Sequence, residues 1–309
     1  MYNVSILVVG SVAFDSLKTP FGVREKILGG AATYFSLSAS FFTQVRVVGV
    51  VGEDFTAEHE AVLTARGIDT RGIEHASGKT FHWGGEYGEN VNEAKTNFTD
   101  LNVFENFVPK IPAAYQDSEI LFLANIQPEL QLDVRRKMPR VALVGGDTMN
   151  LWINIKRAAL LETLKEVDIL LINDGEAKLL ASEQSLVLAA RKILTLGPKS
   201  LVIKHGEYGA TIFFSDGSHP FRAPALPIAE VHDPTGAGDT FAGGFMGYIA
   251  SQLGPQNEVT PAVLKRAMFY GGVMGSFTVE RFGPERLIGL TREEIEERFR
   301  LFRSLTHLD

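Results

Sequence analysis

Short apolar runs punctuate the chain, and longer segments with helical spacing separate them. "SILVVG" (5–10), "VRVVGVVG" (45–52), "EILFLANI" (119–126), "RVALVGGD" (140–147), "VDILLIND" (167–174) and "SLVIKHG" (200–206) read as strands. "AATYFSLSASFF" (31–42) and the stretches 128–137, 154–165, 176–195 and 239–252 read as helices. Continuous Val/Ile/Leu strands without polar alternation predict a sheet covered on both faces. Strand–helix alternation predicts that the sheet is mostly parallel, an α/β fold with helices on either side. Ligands in such sheets collect beyond the carboxyl ends of the strands, so residues just after each strand are the first candidates for chemistry. Asn125, directly behind "ILFLA", is one.

Two segments break the rhythm. "SVAFDSLKTPFGVREKILGG" (11–30) and "GKTFHWGGEYGENVNEAKTNFTDLNVF" (78–104) mix aromatic, Thr, Gly and Asn residues at roughly alternating spacing. Both read as short antiparallel strands outside the main sheet, a small β-lid assembled from about 11–30 and 78–104 of one domain spanning 1–309. Exposed edge strands of such a lid could pair between subunits, so a homodimer through the lid is expected. "TREEIEERFRLFRSL" (291–305) reads as a charged amphipathic helix.

Composition narrows the function. The chain has 309 residues, 45% apolar and 22% charged, with a net charge of -7. That charge argues against a nucleic-acid binder working by broad phosphate neutralisation. There is no cysteine, so disulfides, thiolate metal sites and cysteine nucleophiles are excluded. "MYNVSILVVG" reads as a first strand rather than a signal peptide. No apolar run reaches the roughly 18 residues of a membrane span, so the expectation is a cytoplasmic protein with no membrane partner.

Some motif-like strings fail on spacing. In "GIEHASGKT" (72–80) five residues separate Gly72 from Gly78, one more than a Walker loop has, and "FHWGGEYG" follows where a helix should. "GAGDTF" lacks the third glycine of a dinucleotide fingerprint, because Phe241 stands there. The acidic residue near the right distance, Glu258, lies in loop-like "GPQNEVTP". His75 and His82 have no zinc-site spacing.

"HDPTGAGDTFAGGF" (232–245) is different. A helix begins near Asp239, yet Gly243, Gly244 and Gly247 sit inside it. Each costs about 1 kcal/mol relative to alanine, about 3 kcal/mol together, which implies a helix packed tightly beneath the sheet with its tip fixed. Its N-terminus, preceded by Gly236-Ala237-Gly238, offers unpaired N–H groups and a partial positive charge to an anion. That is a cradle for charge on a transferred phosphoryl group. Asp239 in the first turn suits either the helix dipole or catalysis.

The string Asp233-Pro234-Thr235-Gly236-Ala237-Gly238-Asp239 closely resembles the second signature, D-T-x-G-A-G-D, of the ribokinase-like carbohydrate kinases, the PfkB family. The resemblance implies a three-layer sandwich with a β-lid. It implies Asp239 as the general base and the amides of Gly236, Ala237 and Gly238 as the anion hole. It extends along most of the chain. "NDGEAKLL" resembles the family's Asn-x-x-Glu motif and assigns Asn173 to the nucleotide and Glu176 to Mg²⁺ through water. "VIKHGEYGA" (202–210) resembles the nucleotide-side loop, with Lys204, Gly206 and Gly209 as contacts. "FYGGVMGSFTVERFG" (269–283) resembles the adenine side, with Gly272 where many relatives have Asn. "GSVAFD" (10–15) and "GGAATY" (29–34) resemble the acceptor elements, giving Asp15, Gly29, Gly30 and Tyr34, the last where relatives usually have Asn. Thr235 and Asp233 would lie near a monovalent-cation site, which allows for K⁺.

The implied activity is transfer of the γ-phosphoryl group of ATP, with Mg²⁺, to a hydroxyl of a small sugar, polyol or nucleoside. Alternatives are a phosphosugar kinase or a non-catalytic sugar- or nucleotide-binding regulator. A phosphosugar needs cations in the lid. Arg24, Lys26 and Lys95 are available there, but Glu86, Glu89 and Glu93 oppose them, which favours an unphosphorylated acceptor.

Overall fold

A computed structural model describes residues 4–88, 94–254 and 258–306. The strands are β1 (Ser5–Val9), β2 (Ala13–Thr19), β3 (Gly22–Gly29), β4 (Gln44–Val51), β5 (Asp69–His75), β6 (Phe81–Tyr87) and β7 (Ala94–Asp100), then β8 (Ile120–Leu123), β9 (Leu143–Gly146), β10 (Ile169–Asn173), β11 (Ser200–Lys204), β12 (Ala210–Phe214) and β13 (Phe221–Ala223). The helices are α1 (Ala31–Ala39), α2 (Ala57–Thr64), α3 (Pro128–Lys137), α4 (Asn150–Ile155), α5 (Arg157–Leu164) and α6 (Asp174–Ala181), then α7 (Leu186–Leu194), α8 (Ala237–Gln252), α9 (Pro261–Thr278), α10 (Glu285–Ile288) and α11 (Arg292–Thr306).

A nine-stranded sheet in the order β13-β12-β11-β10-β9-β8-β1-β4-β5 divides the molecule. Its strands run parallel from β11 through β5, and β12 and β13 add an antiparallel edge. Side chains alternate across a strand, so each buried strand feeds two cores. Ile6, Val8, Ile120, Phe122, Ile169 and Leu171 join the core under α1, α8, α9 and α11. Leu7, Val9, Leu121, Leu123, Leu170 and Ile172 join the core under α3 to α7. The continuous apolar runs of the sequence are therefore strands buried on both faces.

Several boundaries differ from the sequence expectation, each for a local reason. The helix expected over 154–165 is two, α4 and α5, broken where Lys156 adopts φ -128° and ψ 28°. The one expected over 176–195 is also two, because Ser182 caps α6 in the left-handed region at φ 53°. The apolar run 31–42 stays helical only to Ala39. The tail helix lies at Arg292–Thr306.

Segments 11–30 and 78–104 form a second sheet of four strands, ordered β3-β2-β6-β7. Each segment folds into an antiparallel pair, but the two join through a parallel pairing of β2 with β6, where antiparallel strands throughout were expected. Glu89 and Glu93, two of the three acids weighed against a phosphorylated acceptor, lie outside the described residues.

The glycine-rich helix α8 is sandwiched between neighbouring helices. A side chain at Gly243 would collide with the Phe35 carbonyl oxygen of α1. One at Gly244 would lie 2.7 Å from Met274 Cγ of α9, and one at Gly247 3.0 Å from Ala39 Cα. The close approach is to α1 and α9. The sheet side of α8 is filled by larger residues, with Met246 reaching Gly145 of β9.

Candidate active site

The carboxyl ends of the central strands and the tip of α8 meet at one place. Gly236 is the N-cap of α8 with φ 72° and ψ 0°, a left-handed conformation suited to glycine. It also leaves room for the ring of Tyr34, which lies where a side chain at 236 would be. The backbone N–H of Ala237 donates to the Pro234 carbonyl at 3.2 Å. Of the three amides expected in the anion hole, that one is engaged within the turn. Gly238 matters for another reason: Lys204 Nζ sits 2.8 Å from the position of its absent Cβ. The amine at the end of β11 thus lies directly over the helix tip.

Asp239, in the first turn of α8, is partly exposed. Burial pushes its carboxyl above the ordinary value of 3.8, and Lys204 pulls it back. Two groups of titratable side chains lie within electrostatic reach of this residue. On one side are Asp147 and Glu176, both held above their usual range chiefly by burial, and both facing Lys204 and Asp239. On the other are Asp15, Tyr34 and Tyr87, each of which feels Asp239 and Asp233.

Asp147 had no place in the sequence reading. It follows β9 directly, and Gln131 ties the ends of β8 and β9 together by donating from Nε2 to the carbonyls of Leu123, Ala124 and Asp147. Asp147 is buried, and its Oδ1 has no hydrogen-bond partner. The string "GGD" at a strand end was the available signal. Asn173 and Glu176 form a reciprocal cap on α6: Asn173 N–H donates to Glu176 Oε2, and Glu176 N–H to Asn173 Oδ1, both at 2.8 Å. The motif is therefore also a capping box, which orients Glu176 toward Lys204 and Asp239.

Among the residues expected at the acceptor, Asp15 on β2 is packed against Gly29, where any side chain would strike its carboxylate, and it accepts from the Gly30 N–H. Gly30 has φ 93°, and its missing Cβ would lie 2.8 Å from Ala13 N. Burial first, then the charges of Asp233 and Asp239, raise Asp15 to about 8. The Tyr34 hydroxyl is buried without a partner. Tyr87, at the end of β6, shares a hydrogen bond with Thr235 Oγ1 at 3.1 Å. No sequence pattern marked it, because its partner lies 148 positions away.

The raised value of Asp15 has a consequence for stability. Between 3.8 and about 8 the unfolded chain has lost this proton while the folded chain keeps it. The contribution is full on the acid side of that window and is lost as pH rises through it. Asp15→Asn cannot ionise. It is expected to resist urea better than the parent at pH 8, with the gap closing toward pH 4. Equal pH slopes for the two proteins in urea melts would remove the assignment.

Asp233 acts as a staple. Its Oδ1 accepts from Thr235 N–H at 2.9 Å and its Oδ2 from Gly283 N–H at 2.8 Å. The small sheet touches the same two loops. Phe21 stacks on His232 with ring centroids 4.3 Å apart, Arg24 lies over Phe282, and Ile27 fills the space beside Gly283.

Other residues expected to contact the nucleotide or acceptor lie around this cluster rather than in it. Gly206 and Gly209, at φ 57° and 93°, shape the turn between β11 and β12. A side chain on Gly209 would strike the Ala223 carbonyl. Gly272 is in the middle of α9, against Phe302 of α11. The amide of Asn125 is occupied: its Nδ2 contacts Met149 Sδ at 3.2 Å, and its Oδ1 accepts from Trp152 Nε1 at 2.9 Å. Among the described residues no three His, Asp or Glu side chains converge closely enough to hold a metal ion by themselves. No helix there is long and apolar enough to cross a membrane.

A parallel sheet whose strand ends face a glycine-capped helix tip with a carboxylate in its first turn is an arrangement able to hold a phosphoryl group. The chain matches the pfkB family carbohydrate kinases over residues 1–287 and belongs to that family. It is 34% identical over 273 residues to a cytidine kinase from Thermococcus kodakarensis, covering 85% of this chain and 95% of that one. Its fold resembles that of the nucleoside kinase of Methanocaldococcus jannaschii, an archaeal member of the ribokinase family (TM-score 0.77, 21% identity, 96% of this chain and 98% of that one). A putative ribokinase II from E. coli, in complex with ATP and Mg²⁺, is similar at TM-score 0.75 and 20% identity, over 98% and 99% of the two chains. The protein is an ATP-dependent kinase acting on a hydroxyl of a sugar or nucleoside.

Proposed function

We propose that the acceptor is an unphosphorylated nucleoside, cytidine among the candidates, and that Asp239 is the base. The position of Asp239, shared between the Asp15–Tyr34–Tyr87 group and the Asp147–Glu176–Lys204 group, carries the base assignment, and the 34% identity to a cytidine kinase supports the nucleoside. A hydroxyl held by the first group loses its proton to Asp239 as its oxygen bonds to the γ-phosphorus. The bond to the β–γ bridging oxygen breaks, and ADP leaves. Burial raises the Asp239 carboxyl above its ordinary value, a direction that makes its carboxylate a stronger base. Lys204 and the amides at the tip of α8 stabilise charge on the transferred group, the main work in such reactions.

The unpartnered Asp147 Oδ1 beside Glu176 suits a hard cation that keeps waters and binds through few carboxylates and the ATP phosphates. Asp147 and Glu176 would hold Mg²⁺, which offsets phosphate charge when bound. Asn173, Gly206, Gly209 and Gly272 are assigned to the nucleotide side, and Gly29, Gly30 and Asn125 to the acceptor side. The staple at Asp233, with Thr235, is the place for a potassium ion. The small sheet serves as the lid of a single domain. The exposed strands β3 and β7 offer edges for a homodimer, which light scattering would detect. The setting is cytoplasmic.

Of the lid cations weighed above, Lys26 and Arg24 are already engaged, which supports an acceptor without a phosphate. Lys26 pairs with Asp54 at 3.0 Å and Lys18 with Glu86 at 2.7 Å, and Arg24 covers Phe282. The test is ADP release with ATP across nucleosides, pentoses, inositols and their phosphates. A nucleoside is expected to give the highest kcat/KM, and a preference for a phosphorylated sugar would overturn the proposal.

A further inference from the structure

On β6, side chains alternate, and the parallel register with β2 sets Trp83 directly beside Asp15. Tyr87 lies on that same face, and it is the face that reaches Thr235. The indole of Trp83 does not stand up from the strand. It lies across Gly85, where any side chain would collide with the ring, and its Nε1 donates to Thr96 Oγ1 at 3.4 Å, the residue paired with Gly85 on β7. Gly85 thus holds the ring flat. Trp83 is half-exposed, and β7 beyond it is exposed along its whole length, so the other face of the ring is not packed into a core.

A flat apolar plate therefore lies on the lid face that carries Asp15, displaced from its carboxyl toward β7. A free sugar uses only the carboxyl. A planar heteroaromatic ring attached to a sugar uses both, since aromatic rings stack on indole and hydroxyls bond to the acid. We infer that Trp83 is the specificity-determining platform on which the base of a nucleoside acceptor stacks, with Gly85 required to lay it flat. This rests on the nucleoside reading above.

Stacking of a base on an aromatic side chain contributes about 1–3 kcal/mol, roughly five- to 150-fold. Trp83→Ala is expected to lower kcat/KM for cytidine about 10- to 100-fold, mostly through KM, with KM for ATP unchanged. Trp83→Phe should restore most of the loss. The chain has two tryptophans, so in Trp152→Phe the emission reports Trp83 alone, and cytidine should perturb it saturably. If the wild type phosphorylates cytidine while Trp83→Ala matches it, the platform is wrong and the nucleoside reading stands. If the wild type accepts ringless sugars and no nucleoside, both fall. If cytidine leaves the Trp83 emission unchanged at concentrations saturating turnover, the platform falls whatever the folding of Trp83→Ala.

Discussion

Replacing Asp239 with Asn is expected to lower kcat about 10²- to 10⁴-fold, the usual worth of a general base, while ATP still binds with nearly its original affinity. Asn keeps the volume and loses the proton acceptor. Its effect on folding should be small, because the change removes one charge from the first turn of α8, about 0.3–1 kcal/mol of dipole interaction. Steady-state ADP release with the preferred acceptor measures the first quantity, and calorimetric titration with ATP the second. The other carboxylates nearby are poorly suited to replace it. Asp15, raised to about 8, holds its proton at neutral pH, and both oxygens of Asp233 already accept backbone N–H groups. Near-wild-type turnover in Asp239→Asn would therefore dismiss the whole proton path, not only its last carrier.

Gly243→Val is expected to damage the protein as a whole. The new Cβ would collide with the Phe35 carbonyl oxygen and lie 2.7 Å from Ser38 Cβ, so α1 and α8 must separate. Backbone cannot yield as a flexible side chain does. Overpacking of this kind costs about 1–3 kcal/mol, occasionally more, and the melting temperature should fall by about 2–5 °C. Both helices carry site residues, Tyr34 on α1 and Asp239 on α8, so turnover should fall as well. Gly289→Ala, with nothing within 4 Å of its new atom, is the control and should melt within a degree or so of the parent, as surface changes do. Equal melting points for Gly243→Val and Gly289→Ala would refute the close helix contact.

The pattern of apolar positions was enough to locate the buried strands, because burial on both faces leaves long runs without polar interruption. It missed β5, whose sequence DTRGIEH lies at the sheet edge and mixes exposed with buried positions. It merged α6 with α7, because nothing in the letter Ser182 announces a left-handed backbone. Pairing of β2 with β6 joins residues more than sixty positions apart in parallel, a choice that local periodicity does not encode. In the site, residues 236–239 stood out because helix glycines are costly and demand a reason. Asp147 and Tyr87 did not, since each owes its role to elements distant in the chain. Asn173 and Glu176 also form the capping box of α6, a second role for the same two letters, with Lys204 acting electrostatically on the Glu176 carboxyl.

The two loops tied by Asp233 are the same two that the small sheet touches through Phe21, Arg24, Ile27 and Tyr87. On the proposed roles, lifting that sheet would remove the hydrogen bond that Tyr87 makes to Thr235 just ahead of Gly236, so the pocket roof and the phosphate cradle would move as one mechanical part. An enzyme wired this way would idle slowly, holding a slackened cradle whenever its raised roof gave stray water the freest access.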